Sequence, residues 1–356
     1  MKRVIQYLLV SLMFVVPVTG FLSIDPSYVI KSENRTLAKF PKLDSIDFFS
    51  DLVQWYTDRL FGKIKISENF FTRFTTVFAD DSFSPNRLSV KGESSWFFIG
   101  DTSKYAYSQH SREVTIPLSN INRKIAFLKK LKNSSNAPFY LVVGPDKHGV
   151  YSEFLRSYIY EPGKYRAFDN YKHYLTDNGI DYIDNLDSLL AEKSNLKNNQ
   201  TLYYTNDTHW NSYGAYVVFN NVMSHIVDNY EPIKYSFIFS SNLTGDLTRN
   251  IVAPEHDFLD NVSVQSTENT NGLDHINKGN SIVKRFENEH AKDDRTVLIM
   301  ADSFGSAFAP FAIDYFKRVI LLPRFESEGL SFVEIIKKEN PDIVLYINVE
   351  RNVFFD

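Results

Sequence analysis

The stretch Val297-Leu298-Ile299-Met300-Ala301-Asp302-Ser303-Phe304-Gly305-Ser306-Ala307-Phe308 decides the reading of this chain. Its opening run of large apolar side chains suits a strand buried on both faces. Phe304, Ala307, Phe308 and Phe311 then recur at helical spacing. Ser303 stands at the turn between strand and helix. A serine so placed has its hydroxyl at the carboxyl edge of a sheet, and the amides of the following helix N-terminus can stabilise an oxyanion. Taken alone, the same turn also fits a helix cap made by Ser303 or Asp302.

Outward from that turn the pattern repeats. Downstream come the strand Val319–Leu322, a helix around Phe332 and Ile336, and the strand Ile343–Ile347. Upstream, Ser119 or Asn120 is expected to cap a helix carrying Ile121, Ile125, Leu128 and Leu131, which feeds the strand Phe139–Val143. A helix through Tyr165, Phe168, Tyr171 and Leu175 stops at Gly179 before the strand Ile180–Ile183, and Asn211 or Ser212 opens a helix striped by Ala215, Val218, Val222 and Ile226. Earlier still, Asp44 to Leu60 and the region from Phe70 to Phe78 have helical spacing, and Trp96–Ile99 suits a short buried strand. Aliphatic strands alternating with helices predict an α/β fold, a parallel sheet with helices on both faces. In such sheets functional residues gather at the carboxyl ends of the strands. From about 240 to 294 the chain turns polar, which predicts an insertion or long loop.

Asp207-Thr208-His209-Trp210 is the second stretch with chemistry in it. A serine hydroxyl is a poor nucleophile until a base takes its proton, and histidine has a suitable pKa. An acid two residues away can fix the ring's tautomer and favour its charged form. A loop histidine beside a turn-forming aspartate would look the same. The two stretches support each other, because both sit at helix entrances of one sheet and neither needs the other for folding. No further His or Asp cluster completes a metal site at recognisable spacing, and no phosphate-binding glycine loop is present, so neither metal nor cofactor is expected.

Composition sets the class. With 356 residues, 43% of them hydrophobic and 23% charged, the chain can bury a large core. The net charge of -4 comes without a basic stripe, which argues against nucleic acid as partner. The absence of cysteine removes disulfides and thiolate nucleophiles. Met1-Lys2-Arg3 followed by a mostly apolar run to Leu22 reads as a signal segment. Val18-Thr19-Gly20 is a poor cleavage site, so residues 1–22 are read as an uncleaved signal anchor in the inner membrane, with residues 23–356 facing the periplasm.

These blocks resemble, in order, those of the alginate O-acetyltransferase AlgJ/AlgX family of SGNH-hydrolase-like proteins. Tyr204 to Asn211 with Gly214-Ala215 is similar to the family's D-x-H signature, which precedes the serine block, and Ala301-Asp302-Ser303-Phe304 to its G-D-S-F block. Gly92 with Ser95-Trp96-Phe97-Phe98, Val143 to Lys147 with Val150-Tyr151, Gly245-Asp246-Leu247 and Val349-Glu350-Arg351 match supporting blocks, as do Glu33-Asn34-Arg35 and Phe40-Pro41. Ala301 departs from the family's glycine, and Ser95 from the glycine common before the tryptophan. The sequence runs to Asp356 without the carbohydrate-binding module of AlgX, so it is expected to be closer to AlgJ-like members.

The resemblance implies an exported SGNH-hydrolase-like O-acetyltransferase domain acting on an extracellular polysaccharide, in the manner of alginate or capsule. By it Ser303 carries the acetyl group, His209 is base then acid, and Asp207 orients the ring. Lys147 and Tyr151 would contact donor or glycan, and Arg351 could bind a carboxylate. A membrane-bound O-acyltransferase partner would supply acetyl groups. The same residues would serve a carbohydrate acetylesterase, and a non-catalytic polysaccharide assembly scaffold is the reading from a different class.

Overall fold

The computed structural model describes residues 29–30, 35–36, 52, 55, 89–94, 96–155, 164–197, 200–240, 245–247, 261–266, 283–323 and 331–355. They belong to two compact units, Met1–Phe83 with Thr248–His256, and Ser84–Leu247 with Asp257–Asp356. In the first, β1 (Val29–Ile30) and β2 (Arg35–Thr36) pair antiparallel, and Leu52 and Trp55 are helical. The segment 1–22, the rest of the helix expected from Asp44 to Leu60 and the pattern around Phe70 lie outside the described residues. Among the described residues no helix is long and apolar enough to cross a membrane.

In the second unit β3 (Ser89–Lys91) and β4 (Phe97–Ile99) form an antiparallel pair. The aliphatic runs assemble into a six-stranded sheet. It includes β5 (Phe139–Gly144), β6 (Tyr182–Asp184), β10 (Asp293–Ala301), β11 (Phe316–Pro323) and β12 (Ile343–Val349). The sixth member is β9 (Lys284–Glu287), and the spatial order is β6-β5-β12-β10-β11-β9. All neighbours are parallel except β9, which runs antiparallel to β11 at the edge. The fold is therefore α/β, as expected. The polar segment 240–294 is not simply a loop, because β9 and β8 (Asn261–Ser266) lie within it. β8 pairs with β7 (Tyr235–Ser240) in a separate two-stranded sheet.

Helices cover the sheet. They are α1 (Ser108–Ser111), α2 (Leu118–Lys132), α3 (Lys147–Val150), α4 (Ala167–Tyr171), α5 (His173–Asp177), α6 (Leu186–Lys193), α7 (Ser212–Ile226), α8 (Gly305–Tyr315) and α9 (Phe332–Glu339). On one face Ile121, Ile125 and Leu128 of α2 and Ile335 and Ile336 of α9 pack in one buried cluster with Leu141, Leu298, Ile320 and Val344. Each such side chain contributes about 1.5–3 kcal/mol when fully buried. α8 packs on β10 and β11, and α7 on α8. α2 starts earlier than expected. Pro117, at φ -57°, leads straight into Leu118, so neither Ser119 nor Asn120 is the cap. The helix expected through Tyr165 and Leu175 is two short ones meeting at Lys172, and Gly179 ends the second at a left-handed φ of +67°. α7 begins as expected, with the Asn211 side chain accepting from the Gly214 amide at 2.9 Å.

Candidate active site

Ser303 follows directly on β10, where Ala301 pairs with Ile347 on one side and Pro323 on the other. Asp302 shapes the turn. One carboxylate oxygen accepts from the Phe304 amide at 3.0 Å and the other from the Val349 amide at 2.8 Å, tying the turn to the end of β12. Gly305 is required here, because a Cβ would collide with that of Ala301. α8 starts only at Gly305 and no side chain caps it, so Ser303 is not a helix cap. Its side chain is left exposed at the carboxyl edge of the sheet.

The loop carrying Asp207 and His209 is closed by a bridge between Tyr203 and Trp210. It is fixed to the rest of the unit at several points. The Phe97 amide donates to the Thr205 carbonyl at 2.8 Å, and the Tyr203 hydroxyl to the Pro145 carbonyl at 2.6 Å. The result is a hydrogen-bonded line: Ser303 Oγ is 2.7 Å from His209 Nε2, and His209 Nδ1 is 2.6 Å from Asp207 Oδ1. Asp207 Oδ1 also accepts from the His209 amide at 3.0 Å, so one oxygen takes both donors of the histidine. Burial, the largest single influence on Asp207, opposes its ionisation. The hydrogen bond and charge of His209, with the amides of Asp246 and His209, outweigh it and hold the pKa down at about 2. Such a line can draw a proton off the serine hydroxyl and keep it on the imidazole while the oxygen attacks an electrophile.

The other three expected contact residues lie inside the protein with their polar groups turned to it. Lys147, 2% exposed, opens α3 beyond β5. Its Nζ donates to the carbonyls of Tyr204 at 3.0 Å, Thr205 at 3.2 Å and Asp207 at 2.7 Å, so it braces the Asp207 loop from below. Burial drives its pKa down to about 7, against the pull of the Asp246 and Asp207 charges. Tyr151 is buried, stacked on Trp96, and its hydroxyl accepts from the Leu202 amide at 2.9 Å. Arg351 is buried and donates to Asp146, so the carboxylate it holds is the protein's own.

That last pair belongs to a closed ion network. His110 Nε2 lies 3.2 Å from Glu350, and Arg166 joins Glu350 to Asp184. Burial works against the charged form of His110, but Glu350 and Asp146 raise its pKa to about 9. Burial likewise opposes ionisation of Asp146, yet Arg351 and His110 hold its carboxyl well below the usual range. Among the described residues two clusters each bring together three groups of metal-ligand type: His110, Asp146 and Glu350, and Asp207, His209 and Asp246. In the first, two guanidinium groups already meet the carboxylates. In the second, Asp207 and Asp246 take donors from the loop itself. Both donor sets are those of hydrogen-bond and ion-pair networks rather than of an open coordination site.

Two contributors went unassigned in the sequence. Asp246 accepts from Thr208 and stands beside His209, and the Gly245-Asp246-Leu247 block was its signal. Trp210 touches the Ser303 turn through Phe304, and nothing but its place next to His209 marks it.

Residues 90–273, just over half of the chain, match the family described as SGNH hydrolase-like domain, acetyltransferase AlgX. A comparison with curated protein sequences finds no match. Among solved structures the chain is similar to PatB1 of Bacillus cereus, also solved with a sulfonyl adduct, at 16% identity and a TM-score of 0.55 over 75% of this chain and 98% of that one. A DHHW family protein from Eubacterium siraeum is similar at 16% identity and a TM-score of 0.56, over 78% of this chain and 95% of that one. The O-acetyltransferase domain of Pseudomonas putida AlgJ aligns at 14% identity and a TM-score of 0.48, over 75% and 93%. PatB1 and the Eubacterium protein establish the shared fold, and the family match extends across the Asp-Thr-His block. The chain belongs to the SGNH hydrolase-like domain family of the acetyltransferase AlgX.

Proposed function

We propose that this protein is an exported O-acetyltransferase that moves acetyl groups onto hydroxyls of an extracellular polysaccharide through an acetyl-Ser303 intermediate. The observation that carries this reading is the line from an exposed Ser303 through His209 to Asp207. Ser303 Oγ attacks the acetyl carbonyl of the donor while His209 takes its proton. The donor's leaving group departs with that proton, leaving the acetyl ester on Ser303. A sugar hydroxyl then attacks the ester, giving its proton to His209, which returns it to Ser303 as the acetylated sugar leaves. Asp207 stabilises the imidazolium in both halves. Membership of the AlgX family supports a polysaccharide acceptor. In this reading the segment 1–22 anchors the protein with its catalytic domain in the periplasm, and a membrane-bound O-acyltransferase supplies the acetyl group.

Exposure of Ser303 favours one second reading, a carbohydrate acetylesterase, because water can reach an acyl-enzyme that stands open. The test is the acetyl content of the cell's surface polysaccharide with the wild-type protein and with Ser303→Ala. Loss of acetyl groups with polymer export intact is expected. Unchanged acetylation would overturn the assignment of the nucleophile. Purified protein that releases acetate from an acetylated glycan faster than it acetylates a bare one would favour the esterase.

A further inference from the structure

We propose that Asp246 is a positioning residue of this site, a second carboxylate that holds the Asp207–His209 turn in line with Ser303. The inference rests on the acyl-transfer reading above and extends it to a residue outside both sequence blocks that carry the chemistry.

The contacts are reciprocal. Asp246 Oδ1 accepts from the Thr208 amide at 2.8 Å, and Oδ2 from the Thr208 hydroxyl at 2.6 Å. In return the Asp246 amide donates to Asp207 Oδ2 at 2.8 Å. The Leu247 amide donates to the Asn206 carbonyl at 3.2 Å. This close approach requires Gly245, where a Cβ would run into the backbone of Asn206. Four consecutive loop residues, Asn206 to His209, are thus laced to a segment 38 residues away or accept its charge.

The effect on Asp207 is specific. Its Oδ1 takes both His209 donors, and its Oδ2 is fixed by the Asp246 amide. A carboxylate held at both oxygens cannot turn about its own axis, so the Oδ1 contact to the imidazole keeps its direction. A hydroxyl-accepting carboxylate also pins Thr208, whose Oγ1 is 3.3 Å from His209 Nδ1. The Asp246 carboxylate itself lies 3.8 Å from His209 Nδ1. It adds negative charge where the imidazolium develops when Ser303 gives up its proton. Among the described residues the charged or titratable groups around Asp246 are Asp207, His209 and Lys147. Lys147, which feels both carboxylates, is the buried cation set against them.

A residue that only closes a loop would give a different result from one that aims the imidazole. The experiment uses the full chain with p-nitrophenyl acetate as acetyl donor, following the single-turnover acylation rate from pH 5 to 9. Wild type, Ser303→Ala, Asp246→Ala, Asp246→Asn and Thr208→Val are compared, with thermal unfolding as the check on the fold. Asp246→Ala is expected to lower the acylation rate on the order of 10–100-fold with little change in apparent donor affinity, as misaimed groups do. Asp246→Asn keeps an oxygen for Thr208 and removes the charge. It should retain more activity than the alanine variant, with the acid limb of its pH profile moved to lower pH. Combining Asp246→Ala with Thr208→Val should cost less than the product of the two single losses, because both act through one contact. If Asp246→Ala does not fold, the near-isosteric Asn variant decides the question alone. Wild-type rate and pH profile in a folded Asp246→Asn or Asp246→Ala protein, with Ser303→Ala inactive, would overturn the role of Asp246 and leave the acyl-transfer reading standing. Acylation of Ser303→Ala at the wild-type rate would overturn that reading, and this inference with it.

Discussion

The indole Nε1 of Trp210 donates to the carbonyl of Phe304 at 3.1 Å, joining the residue after His209 to the residue after Ser303. The two rings also meet edge to face, 4.7 Å apart at 71°. Gly144, at the end of β5, lets both come close, since a Cβ there would press on Trp210 and Phe304 at 3.1 and 3.2 Å. Base and nucleophile come from stretches 94 residues apart, and this buried contact is where their supporting backbones are joined.

Trp210→Phe should therefore affect stability and activity together. The Phe304 carbonyl loses its side-chain donor in a buried place and keeps only the first hydrogen bond of α8, a loss of about 0.5–1.5 kcal/mol. The smaller ring also leaves space beside Gly144. We expect a lower midpoint in denaturant and a fall in the acylation rate with donor affinity nearly unchanged. A variant as active as wild type would show that the Ser303–His209 distance is held by other contacts.

Arg351→Met should act on the fold and not on substrate affinity. The arginine is buried and its partner is Asp146, so its removal takes the guanidinium from a buried carboxylate and leaves His110 to serve both Asp146 and Glu350. Breaking such a pair costs about 3–5 kcal/mol. Denaturant unfolding should show the loss, while the KM for a sugar acceptor stays unchanged in whatever protein remains folded. A raised KM at unchanged stability would put Arg351 at the ligand instead.

The outcome for Arg351 shows what a sequence can and cannot disclose. The Ser303 turn and the Asp207–His209 pair were legible because strand, turn, motif and helix are local and leave a pattern of residue types. The parallel strands were legible because both their faces are buried, so nearly every side chain is apolar. β9 was not. Its Lys284-Arg285-Phe286-Glu287 carries charges that an edge strand tolerates, and only pairing with β11 makes it a strand. The place of Lys147 is not legible for a related reason. Its partners are backbone carbonyls of residues 204, 205 and 207, and carbonyls leave no mark in the sequence. Asp246 fell in a polar segment where one more aspartate carries no signal beyond its glycine neighbour.

His110 should give the protein a stability that falls in mild alkali. Its folded pKa of about 9 lies above the ordinary histidine value of 6.5. The folded state thus holds a proton that the unfolded state gives up. The contribution is complete below about pH 6.5 and disappears as pH rises through 9. Relative to His110→Gln, wild type should lose on the order of 3 kcal/mol between pH 6 and 10, a figure that follows from the shift at about 1.4 kcal/mol per pH unit. Parallel unfolding curves at each pH check this, and an identical slope in both proteins would show that Glu350 and Asp146 do not hold the proton there.

Lys147 should do the reverse, and the sign distinguishes the two groups. Burial lowers its pKa from 10.5 to about 7, so between these values the unfolded chain binds more protons than the folded one. Stability due to this group therefore rises with pH across that window and is lost as pH falls toward 7. In Lys147→Met this rise is absent. Plotted against pH, the stability of wild type minus that of the Met variant should climb from about pH 7 to 10, opposite to the difference plotted for His110→Gln. The Met variant also frees the carbonyls of Tyr204, Thr205 and Asp207, so its acylation rate should drop at every pH, most of all where the wild-type amine is charged and makes all three bonds. A flat stability difference with a normal rate would mean that the lysine finds water in solution and does not brace the loop.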